Sequence, residues 1–171
     1  MELYLVFDNI QKPSNVGTII RLALAIEAKL IFTGNSIHHT HPKCKGAAVG
    51  YIDRAEVAYY PNLETCIEEL SQAGISIYGT SPQAKTPHWD IDFTTKSAVV
   101  FGNEISGLSS QKLTLTQANL LIPIPGSVES LNLASSAAVI GYEALRQNKI
   151  LEIKNLPKFQ GTPDKTPRAH H

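Results

Sequence analysis

The sequence of 171 residues has little charge, little cysteine and few aromatic residues, and each shortage excludes a class of protein. Charged residues make up 18% and hydrophobic residues 43%, which provides enough apolar side chain for one compact core and excludes a disordered or fibrous chain. Lys plus Arg and Asp plus Glu number 15 each, so no overall charge attracts nucleic acid. A local basic patch remains compatible with this balance.

The cysteine content and the hydrophobic runs indicate where the protein works. Cys44 and Cys66 lie far apart in the sequence and form no disulfide framework, which favours a reducing compartment. No stretch approaches the roughly 20 apolar residues of a membrane span. The N-terminal sequence MELYLVFDNI has no basic leader, and its apolar run is too short for a signal peptide. We therefore expect a soluble cytoplasmic protein.

The order of apolar runs predicts an α/β fold. Short apolar runs alternate with segments of helical spacing, which favours a parallel sheet covered by helices on both faces. Ser14 or Asn15 is the predicted cap of the first helix, and segment 34–55 is expected to be a loop with room for a short helix. The predicted strands are 3–7, 29–34, 56–60, 75–79, 97–102 and 118–123, and the predicted helices are 14–28, 62–74 and 130–147.

This predicted domain covers residues 1–150, and residues 151–171 form a C-terminal tail rich in lysine and proline. A solvated tail is the favoured interpretation, and a flexible arm that binds a polyanion is the alternative.

Three predicted strands end in similar loops of glycine, proline and small polar residues. The sequences at these ends are GTSP (79–82), GNE (102–104) and PIPG (123–126). Ligands of open parallel sheets bind beyond the carboxyl ends of the strands. Glycine lets a ligand approach the backbone closely, and proline fixes a loop without adding a donor. Each loop alone is an ordinary strand ending, but the three together predict a pocket lined largely by main chain.

Several familiar sites are missing from the sequence. It contains no G-x-G-x-x-G, no phosphate-binding P-loop and no G-x-S-x-G nucleophile motif. His38, His39, His41 and Cys44 are crowded, but their spacing fits no standard zinc pattern. We therefore expect no metal, and we favour a surface loop that contacts phosphate.

The last predicted helix carries many small residues, which let another backbone come close. These residues either pack tightly inside the monomer or form a close contact between helices across a dimer, and both are compatible with the sequence. They are Ala134, Ser135, Ser136, Ala137, Ala138, Gly141 and Ala144.

Three stretches resemble the motifs of a known family in their order, spacing and polar residues. NVGTIIRLA (15–23), FGNEISGL (101–108) and IPIPGSVESLNLASSAA (122–138) are similar to the three motifs of the SPOUT RNA methyltransferases. The most similar branch is the SpoU or TrmH-like group, which methylates ribose 2′-oxygens of tRNA or rRNA. The resemblance covers about residues 3 to 147 of the chain.

The resemblance implies a Rossmann-like sheet whose C-terminal part forms a trefoil knot, which no pattern argument would propose because knots are nearly absent from proteins. It also implies a homodimer that binds S-adenosylmethionine in the knot and acts on an RNA substrate. By this resemblance the cofactor-binding residues are Thr80, Gly102, Asn103, Ile122, Ser130, Leu131 and Asn132, and the catalytic residues are Arg21, Asn15, Glu104, Ser130 and Asn132.

Arg21 is the principal catalytic candidate that the resemblance implies. A guanidinium is a weak base, so we expect Arg21 to hold a substrate phosphate and polarise the ribose hydroxyl. Acceptance of the hydroxyl proton by a desolvated Arg21 is the alternative. Glu104 is expected to orient either Arg21 or a neighbouring amide. Ser130 and Asn132 either cap the last helix or position the cofactor.

RNA contact is expected from the catalytic domain itself, because the chain begins almost at the first strand. The candidates are Lys43, Lys45 and Arg54, together with Arg21 and the basic tail. A catalytic domain with almost nothing appended to it favours tRNA over rRNA as the substrate. The alternatives are a non-catalytic RNA-binding protein with the same fold and a methyltransferase for small molecules.

Overall fold

The computed structural model describes residues 1–148 and contains one seven-stranded sheet. The predictions for the 151–171 tail lie outside the described residues. The strands are β1 (Leu3–Asp8), β2 (Lys29–Thr33), β3 (Val57–Tyr60), β4 (Ser76–Thr80), β5 (Thr86–Pro87), β6 (Ser97–Phe101) and β7 (Ala118–Leu121). The helices are α1 (Pro13–Ile26), α2 (Lys45–Ala48), α3 (Leu63–Gln72), α4 (Ser110–Leu113) and α5 (Leu133–Gln147).

All neighbouring strands of the sheet are parallel, in the order β3-β2-β1-β6-β4-β7-β5. The six strands predicted from apolar runs are present. The two-residue strand β5 was not predicted, because Thr86–Pro87 is too short and too polar for an apolar pattern. The sheet order places β6, β4 and β7 side by side, so the carboxyl ends of three neighbouring strands meet at one edge.

Alternation along β1 shows how both faces of the sheet are covered. Leu3, Leu5 and Phe7 point into a core that they share with α1 and α5. Val6 points into a second core that contains the buried face of α3. Buried side chains on both faces are typical of parallel sheets, and they confirm the predicted covering by helices.

A row of aromatic rings runs across one face of the sheet. Phe101, Phe7, Phe32 and Tyr59 stand in register on β6, β1, β2 and β3. The distances between successive ring centroids are 4.9, 5.9 and 5.6 Å. The first three rings are at most 1% exposed, whereas Tyr59 at the sheet edge is 38% exposed. The row therefore links the centre of the sheet to its surface.

The start of α1 differs from the prediction. Neither Ser14 nor Asn15 is the cap, because α1 begins at Pro13 with Lys12 in the cap position and no capping side chain of its own. Proline at the first helical position removes one donor that would otherwise need an acceptor. Asn15 lies inside the helix and is 5% exposed, so its amide is available for other contacts.

The small residues of α5 pack against α1 within the monomer. A Cβ atom on Gly141 would lie 2.5 Å from the Cδ1 atom of Ile26. Ala137 and Ala144 are fully buried, while Tyr142 is 50% exposed. This supports the first of the two roles considered for the small residues.

None of the helices within residues 1–148 has both the length and the apolar character of a membrane span.

Gly17→Ala is expected to destabilise the contact between α1 and α2 by about 2 kcal/mol. The added Cβ would lie 2.5 Å from the Cys44 carbonyl oxygen and 2.8 Å from the Ala48 nitrogen, and these backbone atoms move only with their whole segment. Urea denaturation would measure the change in free energy of unfolding. Gly46→Ala is the matched control, because nothing lies within 4 Å of its added Cβ. Equal stability of the two variants would contradict the packing argument.

Candidate active site

A cavity of about 500 Å³ lies at the carboxyl edge of the sheet. Its walls are the loops that follow β4, β6 and β7 and the segment that precedes α5. This confirms the predicted convergence of the three strand ends. The predicted site residues that line the cavity are Asn15, Thr80, Gly102, Asn103, Glu104, Ile122, Ser130, Leu131 and Asn132.

The loop after β6 folds back tightly over Gly102. A Cβ on Gly102 would lie 2.1 Å from the Gly107 carbonyl carbon and 2.3 Å from the Leu108 nitrogen. Only glycine leaves room for this crossing of two backbone segments. Asn103 holds the loop from both sides: its side-chain amide donates to the Asn9 carbonyl (2.8 Å), and its Oδ1 accepts from the Ile105 N–H (2.9 Å). The fold-back directs the next residue, Glu104, toward β1 and α1.

Glu104 accepts hydrogen bonds from the loop between β1 and α1. Its carboxylate accepts the backbone N–H groups of Gln11 (3.1 Å) and Lys12 (2.9 Å), and it also accepts the side-chain amide of Asn15 (3.1 Å). An acid from a distant loop thus supplies the acceptor that the start of α1 lacks. Of the two roles expected for Glu104, the structure shows the one of orienting an amide.

These contacts set the pKa of Glu104. Burial of the carboxyl group raises its pKa, but the hydrogen bonds from Gln11, its own backbone, Lys12 and Asn15 together outweigh burial and lower the pKa below its usual value. The group is therefore a carboxylate at neutral pH, which suits a structural acceptor better than a proton donor.

Asn15 extends this network to the third motif. Its Oδ1 accepts the side-chain amide of Asn132 at 3.0 Å. Asn132 is also the cap of α5, where its Oδ1 accepts the N–H groups of Ala134 (2.9 Å) and Ser135 (3.4 Å). Both roles considered for Asn132 are therefore compatible, because one end of its amide caps the helix and the other lies at the cavity. Ser130 lines the cavity and does not cap α5.

Glu104→Gln is expected to reduce the free energy of unfolding by about 2 kcal/mol at neutral pH. The substitution keeps the shape but turns one acceptor oxygen into a donor that faces other donors. The contribution of the wild-type carboxylate is full above the ordinary carboxyl pKa and is lost as the pH falls through its lowered pKa. Urea denaturation over a pH series would show the difference between wild type and variant shrinking in acid. Glu68→Gln on the exposed face of α3 is the control, and a constant difference at all pH values would contradict the role of the charge.

The structure places the basic candidates in different parts of the molecule. Arg21 is exposed on α1, about two helical turns beyond Asn15, and does not line the cavity. Lys43 and Lys45 are exposed on the segment that packs against α1. Arg54 lies at the opposite edge of the sheet, where it lines a separate cavity of about 680 Å³ beside the amino ends of β2 and β3. The RNA-binding roles of these residues stay predictions.

Sequence reasoning missed several residues of the cavity. The most notable is Lys12, whose backbone is bonded to Glu104 and which brings a positive charge to the mouth of the cavity. The position of Lys12 between β1 and Pro13 could have indicated that it lies at the cavity, because that loop follows a parallel strand at the ligand-binding edge of the sheet. Gln83, Glu129 and Ser136 were missed as well.

Two of the crowded histidines, His38 and His39, stack with Tyr59. Cys44 is buried, and its Sγ faces the His38 carbonyl oxygen at 3.9 Å. Within residues 1–148 no group of three or more His, Cys, Asp or Glu side chains is placed to hold a metal ion.

The arrangement defines a class of protein. A parallel α/β sheet with a pocket at its carboxyl edge is the architecture of nucleotide- and cofactor-binding domains. The model of the SpoU rRNA methylase family matches residues 2–142, and the chain belongs to this family.

Two curated relatives cover most of this chain. An uncharacterised tRNA/rRNA methyltransferase of Synechocystis is 36% identical over 146 residues, which are 85% of this chain and 53% of that protein. The 23S rRNA (guanosine-2′-O-)-methyltransferase RlmB of Xylella fastidiosa is 35% identical over 153 residues, which are 87% of this chain and 60% of that protein. The chain thus spans between half and two thirds of the length of these relatives.

Solved structures share the fold. The SpoU methyltransferase AviRb from Streptomyces viridochromogenes, in complex with AdoMet, has a TM-score of 0.79 and 33% identity over 87% of this chain and 61% of that chain. A structure that concerns the 2-OH methylation of C/U34 on tRNA has a TM-score of 0.81 and 29% identity, and the match covers 86% of this chain and 97% of that chain.

Proposed function

We propose that this protein transfers the methyl group of S-adenosylmethionine to a ribose 2′-oxygen of RNA. The observation that carries the proposal is the chain of hydrogen bonds from Glu104 through Asn15 to Asn132, which joins all three motifs at one cavity. Family membership supports the same reaction. The network alone would also fit a binding protein, so the proposal depends on both observations.

The cavity fits the cofactor in size and chemistry. Its volume of about 500 Å³ lies in the range of small-molecule sites. Phe101, Leu120 and Leu131 provide apolar walls for an adenine ring, and Thr80 and Gly102 bring main chain close to it. Ser130 and Asn103 offer polar groups for the ribose and the amino-acid part. The chemistry that the bound cofactor supplies is an electrophilic methyl group on sulfur.

The side chains of this protein would position the RNA and activate its hydroxyl. A ribose hydroxyl attacks only as its proton leaves, here to water or to a desolvated Arg21, while the electron pair of the breaking C–S bond would stay on sulfur as a neutral thioether. Alignment of the hydroxyl with that bond lowers the barrier further. Arg21 would hold a substrate phosphate and polarise that hydroxyl. Lys12 at the mouth of the cavity would neutralise a second phosphate. Glu104 would keep the loop that carries Lys12 in place.

A homodimer as the working unit is part of the same proposal, and the exposed position of Arg21 is compatible with it. A single chain presents Arg21 outside its own cavity, so either the bound RNA runs along α1 or a second copy closes the site. The exposed Tyr142 on α5 offers an apolar contact for that copy. The trefoil knot also belongs to this proposal, and the similarity in fold to a solved SpoU methyltransferase supports it.

The test is incorporation of label from S-adenosylmethionine into separated tRNA and rRNA pools. Alkali-resistant dinucleotides would then locate a 2′-O-methyl group. We favour tRNA, because a structure that concerns methylation on tRNA shares the fold with a TM-score of 0.81. Calorimetry without RNA would measure cofactor binding on its own. Absence of both label and cofactor binding would favour a non-catalytic RNA-binding protein.

A further inference from the structure

An exposed stack of three rings lies at the carboxyl edge of the sheet and has no part in the proposed chemistry. The ring centroids of His38 and Tyr59 are 4.6 Å apart with an interplanar angle of 15°. The His39 ring lies 4.6 Å from His38 and 5.9 Å from Tyr59. His38 is exposed and Tyr59 is 38% exposed. We call these three residues the ring platform.

Hydrogen bonds hold the ring platform in one arrangement. The Tyr59 hydroxyl accepts the His39 backbone N–H at 2.9 Å and is bonded to the Nδ1 of the same histidine at 2.8 Å. The Nδ1 of His38 is bonded to the Thr40 hydroxyl at 2.8 Å. The Tyr59 ring packs against the buried Phe32 ring. Fixed rings lose little conformational entropy when a flat ligand stacks on them.

The ring platform lies on the same edge as the candidate active site. The loop that carries it is bonded to the loop after β1, because the Ile37 N–H donates to the Ile10 carbonyl at 2.9 Å. That second loop is the one held by Glu104. The aromatic row also connects the two places, since Phe101 lines the cavity and Tyr59 ends the row. Three strand spacings separate them, about 15 Å, within reach of the nucleotides that flank a target ribose.

We propose that the ring platform stacks a base of single-stranded RNA near the methylated nucleotide, while Lys43 and Lys45 hold the adjoining phosphates. The proposal rests on the proposed function, because the position of the platform matters only if the cavity acts on RNA. Every base has a π-face, and exposed aromatic rings beside cationic side chains are the usual means of binding unpaired nucleotides. Both lysines are exposed and follow His41 on the same segment.

The test is fluorescence anisotropy with labelled oligoadenylate of about twelve nucleotides, compared with an abasic ribose-phosphate oligomer of equal length. His38→Ala is expected to raise the Kd for oligoadenylate about tenfold and to leave the Kd for the abasic oligomer unchanged. His38→Phe retains a flat ring and is expected to bind within about twofold of wild type. Lys96→Ala, at the amino edge of the sheet, is the charge control and should bind as wild type does.

Wild-type affinity of His38→Ala for oligoadenylate would contradict the stacking role of the ring platform. An equal loss of affinity in His38→Phe and His38→Ala would contradict it as well. His38 is exposed, so an unchanged melting temperature is expected and shows that the fold is intact. The binding measurement needs no turnover. Failure of methyl transfer with normal stacking would therefore count against the proposed function alone, and normal methyl transfer without stacking would count against the platform alone.

Discussion

Gly102→Ala is expected to weaken S-adenosylmethionine binding by at least about tenfold and to destabilise the protein by about 3 kcal/mol. The added Cβ would lie 2.1 Å from the Gly107 carbonyl carbon and 2.3 Å from its oxygen. Neither atom belongs to a flexible side chain, so the whole fold-back of residues 103–107 has to move. That movement carries Glu104 away from its partners and opens the wall of the cavity.

Calorimetry would measure the cofactor affinity of Gly102→Ala, and urea denaturation its stability. Gly126→Ala is the matched control, because it lies in the loop after β7 and nothing is within 4 Å of its added Cβ. Substitution there should change both quantities little. Wild-type affinity and stability in Gly102→Ala would show that the crossing of the two backbone segments is looser than the structure has it.

Arg21→Ala is expected to lower kcat/KM for methyl transfer by about three orders of magnitude. The loss would come from the reaction rather than from folding, because Arg21 is exposed on α1 and lies outside the cavity. Melting temperature and cofactor affinity should therefore match those of the wild type. Arg21→Lys keeps the charge but not the bidentate fork, so it should recover only part of the activity if phosphate geometry matters.

Transfer of labelled methyl to RNA would measure the effect of Arg21→Ala. Arg146→Ala is the control, since Arg146 is also exposed but pairs with Glu143 on α5. Turnover close to wild type in Arg21→Ala would remove Arg21 from the mechanism. It would leave Lys12 as the nearest candidate for neutralising a substrate phosphate, because Lys12 lines the cavity.

The sequence predicted the sheet and the cavity because both depend on local patterns. Strands β1 and β6 contain the apolar runs LYLVF and AVVF, and glycine or proline follows or ends β4, β6 and β7. Hydrogen bonds between side chains that are far apart in the sequence were harder to predict. Asn15 was predicted as a helix cap, because nothing near it in sequence shows that Glu104, 89 positions away, would take up its amide.

The surface was the hardest part to predict. Arg54 and Lys43 are eleven positions apart in the sequence, yet Arg54 lies by the amino ends of the strands. The histidines suggested a surface loop that contacts phosphate. Their neighbour Tyr59 lies on β3, twenty positions after His39, and could not be predicted from the local sequence. Residues that are close in the sequence determine where helices and strands form. Contacts between separate elements depend on how the whole domain packs.

The bonds that join Glu104, Asn15 and Asn132 also determine when the cavity can be completed during synthesis of the chain. A nascent chain that ends before α5 has the first two residues but lacks Asn132 and the wall of the cavity that precedes α5. Because Asn132 follows Glu104 in the chain, the network closes only after the third motif has been synthesised.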